Sequence, residues 1–530
     1  MKGWAAVFVA SLSALSLMLA APSVAGPRAV RPVDTGPRAL LVGNYRGIDG
    51  GYRSIQSAVD AARPGDWILV GPGDYHELDD HTQGVRWNTP GGVVVTTPGI
   101  HLRGMDRTGV VVDGTRPGAP PCSSNPVNQD YGSKGADGKA LGRNGILIWK
   151  ADNVSVENLT TCNFLAGAGA SGNEIWWNGG ANSGQVGGFG FYGSYLTATT
   201  TFFGSEPTAA QYGIFSSNWS GGIWEHTYAS NFNDSGYYVG ACQQICNQTV
   251  NDAHGEYNAL GYSGSNSGGQ LVIENSEFDN NQDGFSTNTQ NGDNPPPQNG
   301  QCPNGGTSPI THTRSCWVFM NNYVHDNNNP NVPAAGSAAA GPVGTGMTIS
   351  GGRFDTVMHN RFERNNAWGI AFVPYPDSGP PCTGGVNLPE LCLYDDSGNA
   401  LIDNSFSHNG SYGNPTNGDF AELTTLPGPS NCFRGNTEEG GGGVTSSPAG
   451  LQQTKPTCGG NALPDPNPAF FAEVACDSQI SIGPSAVPCL PTDHYPRRAK
   501  VVMHPLPTGL ATMPNPCTGV PANPWCPAGA

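Results

Sequence analysis

The sequence predicts an all-β chain, a right-handed parallel β-helix with coils of about 23 residues and a helix capping its N-terminal end. Three observations carry this reading. A motif of Gly followed by an aromatic or aliphatic residue recurs at Gly190-Phe191, Gly213-Ile214, Gly236-Tyr237, Gly261-Tyr262 and Gly284-Phe285, at spacings of 23, 23, 25 and 23, and again at Gly346-Met347 and Gly369-Ile370. A fixed period of this length is the mark of a solenoid. An asparagine motif precedes the glycine in several coils: Asn275 to Asn280, Asn322 to Asn327, Asn360 to Asn365 and Asn404 to Asn409. The third is the segment Ser54 to Glu77, which reads as an amphipathic helix to about Arg63, a Pro-Gly-Asp turn and a buried strand Trp67 to Val70.

From the N-terminus, Met1 to Ala25 has an early lysine, an apolar run and Ser23-Val24-Ala25 where a signal peptidase needs small residues. It is expected to be a signal peptide, followed by a flexible stretch 26–39, a solenoid over 40–440 and an irregular Pro/Gly/Cys-rich extension over 441–530. No later run has the length of uncharged apolar sequence that crosses a bilayer, so a secreted, extracellular or cell-surface monomer without a membrane anchor is expected.

Fourteen cysteines in an exported chain point to disulfides rather than metal ligands. Pairing sequence neighbours gives Cys122-Cys162, Cys242-Cys246, Cys302-Cys316, Cys382-Cys392, Cys432-Cys458, Cys476-Cys489 and Cys517-Cys526, since loops leaving one coil close on themselves. The net charge of −17 makes the chain a poor nucleic-acid binder.

Within each rung, alternation points Phe285 and Thr287, Met347 and Ile349, and Ile370 and Phe372 inward, and Ser286, Thr348 and Ala371 outward. Small outward residues leave a shallow groove in which a long polymer could lie. The asparagines tolerate left-handed turns and can bond to the same amide one coil away, so they read as a structural ladder. Long loops are expected after Phe164, Asn288, Pro330 and Pro376.

The entrance segment, with Gly99 to Gly104, Val110 to Gly114, Asn144 to Lys150 and Asn153 to Leu159, resembles the pectate lyase-like β-helix superfamily over residues 40 to 440. The resemblance implies the fold and leaves the chemistry open, because that superfamily includes lyases, hydrolases, epimerases, tailspikes and non-enzymatic surface proteins. The Gly-His-Gly and Arg-Ile-Lys signatures of polygalacturonase-type hydrolases are missing, and so is the Asp-Pro-His-Asp of alginate epimerases. No catalytic residue carries over.

Charge narrows the choice. From Ala151 to Thr313 there is no Lys or Arg, against thirteen Asp and Glu. A polyuronate lyase base of Arg or Lys cannot come from this stretch, although Ca²⁺ could reverse its local field and Arg353, Arg361 and Arg364 follow later. Ca²⁺ is not required by the sequence. Two-carboxylate glycoside hydrolysis suits it better. Glu256 and Asp279 stand five residues before Gly261 and Gly284, so they stack one rung apart, with His254 and Asp283 as further catalytic candidates. Asp234, Asp252, Arg353 and the tandem Trp176 and Trp177 are candidates for holding substrate. Solvated turn acids and core tryptophans are the plainer reading of the same residues. The expected function is a carbohydrate-active protein, a polysaccharide hydrolase or lyase with a glycan partner. The alternative is a non-catalytic glycan-binding or structural β-helix.

Overall fold

A computed structural model describes residues 36–77, 90–180, 185–242, 245–291, 316–478, 481–482, 485–486 and 489–528. The expected signal peptide and Cys302 lie outside these residues. Among them, two long sheets of nineteen and eleven strands contain most of the strands. Tyr212–Ser217 pairs in parallel with Ser235–Gly240, that strand with Leu260–Ser265, then Asp283–Asn288, Thr345–Ser350, Trp368–Val373 and Gly418–Glu422, and these are seven strands of the eleven-stranded sheet. Each of these strands leads into a stretch of the nineteen-stranded sheet, as Ser235–Gly240 leads into Gln248–Glu256, so successive coils wind as a parallel β-helix.

The nineteen-stranded sheet is folded along its length. Its bend falls on His226, Asp252, Asn275, Asn321, His359 and Asp403, all with φ between 50° and 57°. A second corner, leading back to the eleven-stranded sheet, falls on Asn231, Tyr257, Asn280, Asp326, Arg364 and His408, again left-handed. Asn and Asp enter this region at low cost. The three-sided coil follows from these two corners.

Just after each corner runs a ladder of buried amides. Asn258 Nδ2 donates to Asn281 Oδ1 at 3.1 Å, Asn281 to Asn327 at 3.0 Å, Asn327 to Asn365 at 3.2 Å and Asn365 to Asn409 at 3.3 Å. A parallel ladder joins Asn322, Asn360, Asn404 and Asn436, where Gln452 Oε1 accepts the last amide at 3.0 Å. The ladder positions in the coil of Asn275 are Ser276 and Asn281, since Ser276 N donates to Asn322 Oδ1 and Asn281 N to Asn327 Oδ1. Asn275 and Asn280 are the corner residues, one place earlier than the sequence motif implies.

Asn360→Ala should therefore cost about 1–3 kcal/mol, because it strands the amide of Asn322 and removes the bond to Asn404. Asn275→Gly, which keeps the left-handed turn and touches no ladder, should stay within about 0.5 kcal/mol of wild type. Urea midpoints compare the two.

Phe285, Met347, Ile349, Ile370 and Phe372 point into the core as the alternation requires, and Thr287 is buried beside them. Tyr262 and Phe285 stack at 4.5 Å, one rung on the next, and Phe420 and Phe433 stack at 5.1 Å across the core from one sheet to the other. Gly190-Phe191 is not a rung of this sheet. Gly190 is a left-handed turn, and Phe191–Thr199 lies in the nineteen-stranded sheet beside Val154–Cys162. The rung of that coil is Ile175–Asn178, in register with Ile214.

Helix Ile55–Ala61 begins at Ser54, whose Oγ accepts from Ser57 N, and Ile55, Ala58 and Val59 join Leu40, Val42 and Ile68 in the core. At the other end helix Leu451–Thr454 places Leu451 in the same core. Beyond it, helix Pro468–Ser478 lays Phe470 and Val474 on Trp368, Ala371 and Val373, on the outer side of the eleven-stranded sheet.

The rest of the extension runs back along the solenoid rather than covering only its last coil. Val502 N bonds Asn331 O, Asn231 and His504 exchange two bonds at 3.1 Å, Thr512 Oγ1 donates to Asn158, Arg103 donates to Thr518 O, and Trp525 Nε1 reaches Ile48 O. Six expected disulfides are present, from Cys122–Cys162 to Cys517–Cys526. Among the described residues no helix is long and apolar enough to cross a membrane.

Candidate active site

Beyond the bend, the nineteen-stranded sheet presents two files of outward side chains. One runs Thr197, Tyr228, His254, Glu277, Tyr323, Arg361 and Ser405. The other runs Thr199, Ser230, Glu256, Asp279, His325, Glu363 and Ser407. The residues between them, Ala229, Phe278, Val324, Phe362 and Phe406, fill the core. Strand alternation thus turns the whole polar set to one side.

Glu256 and Asp279 are register partners on this face. Neighbouring strands lie about 4.8 Å apart. His254 Nε2 meets Asp279 Oδ1 at 2.7 Å, and the Asn280 amide donates to the other Asp279 oxygen. Tyr228 Oη donates to Glu256 Oε1 at 2.6 Å. One rung on, His325 bridges Glu277 Oε1 at 3.0 Å and Asp326 Oδ2 at 2.8 Å and stacks on Tyr323 at 3.8 Å.

Burial raises the Glu256 carboxyl above the usual carboxylate range. Tyr228 and His254 offset part of this, and the Asp279 charge adds to it. Burial alone would lower His254, but its bond to Asp279 and the surrounding carboxylates leave it raised. His325 holds Glu277 low through their hydrogen bond. Arg361 and Arg364 are tied to Glu363, and Arg364 also to Asp326. A ligand atom of His254, Glu277 and Asp279 each lies within 4.8 Å of the others, so this trio could hold a divalent ion.

Several candidates lie elsewhere. Asp283 belongs to the eleven-stranded sheet, fully buried beside Thr345, because the second corner separates it from Asp279. Asp252 is a corner residue, exposed and paired with His226. Arg353 is a bridge partner of Ser397 and donates to Asp395 O at 3.3 Å. Trp177 is fully buried against Phe191 and Trp224, so it is a core residue and cannot meet a ligand. Trp176 faces out, stacked on Phe215 at 4.9 Å with its Nε1 on Ser217. Trp219 and Trp224 are core as well.

The groove expected over the eleven-stranded sheet is not open along its length. Helix Pro468–Ser478, residues 337–342 and the hairpin built on Tyr375–Ser378 and Leu391–Tyr394 enclose a cavity of about 520 Å³ above Ser263, Ser286 and Thr348, and Asp234 lines it.

Glu277, His325 and Tyr323 escape sequence reasoning for one reason, and Tyr228 precedes the first of the asparagine motifs. Aligning the motifs on their first asparagine sets Asp279 against Asp326, whereas the strands set it against His325. The apolar residue between the files, Phe278 against Val324 and Phe362, is the signal that gives the correct register.

No family model matches the chain, and no curated protein matches it. Among solved structures, it is similar to the A-module of a mannuronan C-5 epimerase of Azotobacter vinelandii, at 12% identity and a TM-score of 0.41 over 72% of this chain and 90% of that one. The tailspike of Escherichia coli bacteriophage HK620, solved with a pentasaccharide, matches at 15% identity and a TM-score of 0.41 over 76% and 60%. A family 28 exopolygalacturonase of Yersinia enterocolitica matches at 10% identity and 0.40 over 77% and 76%. No residue and no activity transfers at these identities.

Proposed function

We propose that the protein is a secreted carbohydrate-active β-helix that hydrolyses an extended polysaccharide laid across the outward files of the nineteen-stranded sheet. The observation that carries this reading is the register pair Glu256 and Asp279, two carboxylates one strand spacing apart with different surroundings. Retaining glycosidases hold their two carboxyls about 5–5.5 Å apart, and the strand spacing matches that separation.

Glu256, whose protonated form burial favours, gives its proton to the glycosidic oxygen as the bond to the anomeric carbon breaks. Asp279, oriented by His254 and Asn280, supplies the carboxylate oxygen that bonds to that carbon. Water, losing its proton to Glu256, then cleaves the glycosyl ester and frees Asp279. Tyr228 positions Glu256. A lyase is the weaker reading, because at these files Arg361 and Arg364 are engaged by carboxylates and Arg107 is buried, its guanidinium held by Thr197, Leu196 O and Ala511 O.

The test is a screen of plant, algal and bacterial polysaccharides with and without Ca²⁺, read for both reducing ends and unsaturated products. Reducing ends without unsaturation are expected on at least one substrate. Unsaturated product would replace the hydrolase with a lyase, and no turnover by folded protein on any substrate would remove the catalytic reading in favour of a glycan binder.

A further inference from the structure

The cavity above the eleven-stranded sheet has the makings of a second, independent site. Among its described lining residues Asp234 is the only ionisable carboxylate, and no Lys, Arg or His is present. Its Oδ2 accepts from Tyr212 Oη at 2.9 Å and Gln211 Nε2 at 3.4 Å, both neutral donors. Tyr212, Tyr238 and Tyr375 line the cavity too, with the Tyr212 and Tyr238 rings edge-to-face at 5.2 Å. Leu391, Phe471 and Val474 supply an apolar wall.

A carboxylate placed in such a cavity without a countercharge is costly, and a cationic ligand removes that cost. Phenol rings add attraction for a cation through their faces. An anion would meet Asp234 with like charge, and a neutral polyol would leave it unpaired. We propose that this cavity binds an organic ammonium ion, an amine carried on an apolar or sugar-ring body, with Asp234 as its counterion. This inference does not rest on Glu256 and Asp279, which lie on the other sheet.

Calorimetric titration of the full mature chain compares two matched pairs, benzylamine with benzyl alcohol and glucosamine with N-acetylglucosamine. At least one amine is expected to bind tenfold or more tighter than its neutral partner, and the pair that discriminates identifies the body the wall accepts. Asp234→Asn should erase the difference with circular dichroism unchanged. If that variant unfolds, Tyr375→Ala on the hairpin should weaken amine binding severalfold. Equal binding within both pairs, no binding by either amine, discrimination that survives in Asp234→Asn, or affinity untouched by Tyr375→Ala would each overturn the proposal.

Discussion

Glu256→Gln should lower polysaccharide hydrolysis about 10²- to 10⁴-fold, the range a positioned general acid supplies. The substitution keeps the volume and the bond from Tyr228 while removing the proton that leaves with the departing sugar. Circular dichroism and thermal midpoint should stay close to wild type, because Glu256 is half-buried on the outward file and outside the core. A substrate with a leaving group that needs no protonation should recover much of the lost rate. The pH profile carries a sign that a structural role would not mimic. In the proposed mechanism the acid must be protonated, so the rate of the native protein should fall as pH rises through the raised pKa of Glu256, and that limb should vanish in Glu256→Gln. An unchanged rate in this variant, on a substrate the native protein hydrolyses, would take Glu256 out of the mechanism.

Trp177→Ala should destabilise the fold by about 3–5 kcal/mol, the cost of emptying a fully buried aromatic site. Trp177 packs on Phe191 at 4.9 Å and Trp224 at 6.1 Å, and its Nε1 donates to Val154 O, so its removal leaves a void in the core and breaks that bond. Trp176→Ala, one residue away, should cost about 1 kcal/mol, the worth of an exposed-side stack. Denaturant midpoints of the two variants separate a core residue from a surface one. A wall of two sugar-stacking tryptophans would instead leave both stabilities alike and change only binding.

Much of the architecture was legible because a β-helix repeats its chemistry. The alternation in Phe285-Ser286-Thr287 is read from three letters, and its partners one coil later confirm the phase. Period alone fails where a turn imitates a rung, as at Gly190-Phe191, since glycine before an aromatic residue marks either a corner or a strand start. The pairing of Glu256 with Asp279 followed from counting back from glycines within coils of equal length. It could not reach His325, because an insertion separates that coil from its glycine at 346. Asp283 was misplaced for the converse reason. It is close in sequence to Asp279, but the left-handed Asn280 turns the chain onto another sheet between them. The roof over the eleven-stranded sheet depends on helix Pro468–Ser478, whose docking surface is composed of residues from Ala367 to Leu423, far earlier in the chain, and leaves no local pattern.

The returning tail alters how the molecule must come apart. A stack of coils ordinarily frays from either end, because a terminal unit has a single neighbour. Here Trp525 lies on Tyr45 with its ring nitrogen on Ile48, 477 residues away in sequence, and the bonds at Asn158 and Asn231 fasten the irregular segment around His504 and Thr512. The first coil cannot open without releasing the segment that carries Trp525. The N-terminal coil is therefore completed by residues that follow it by 477 positions, and until they dock the solenoid stays open at its start.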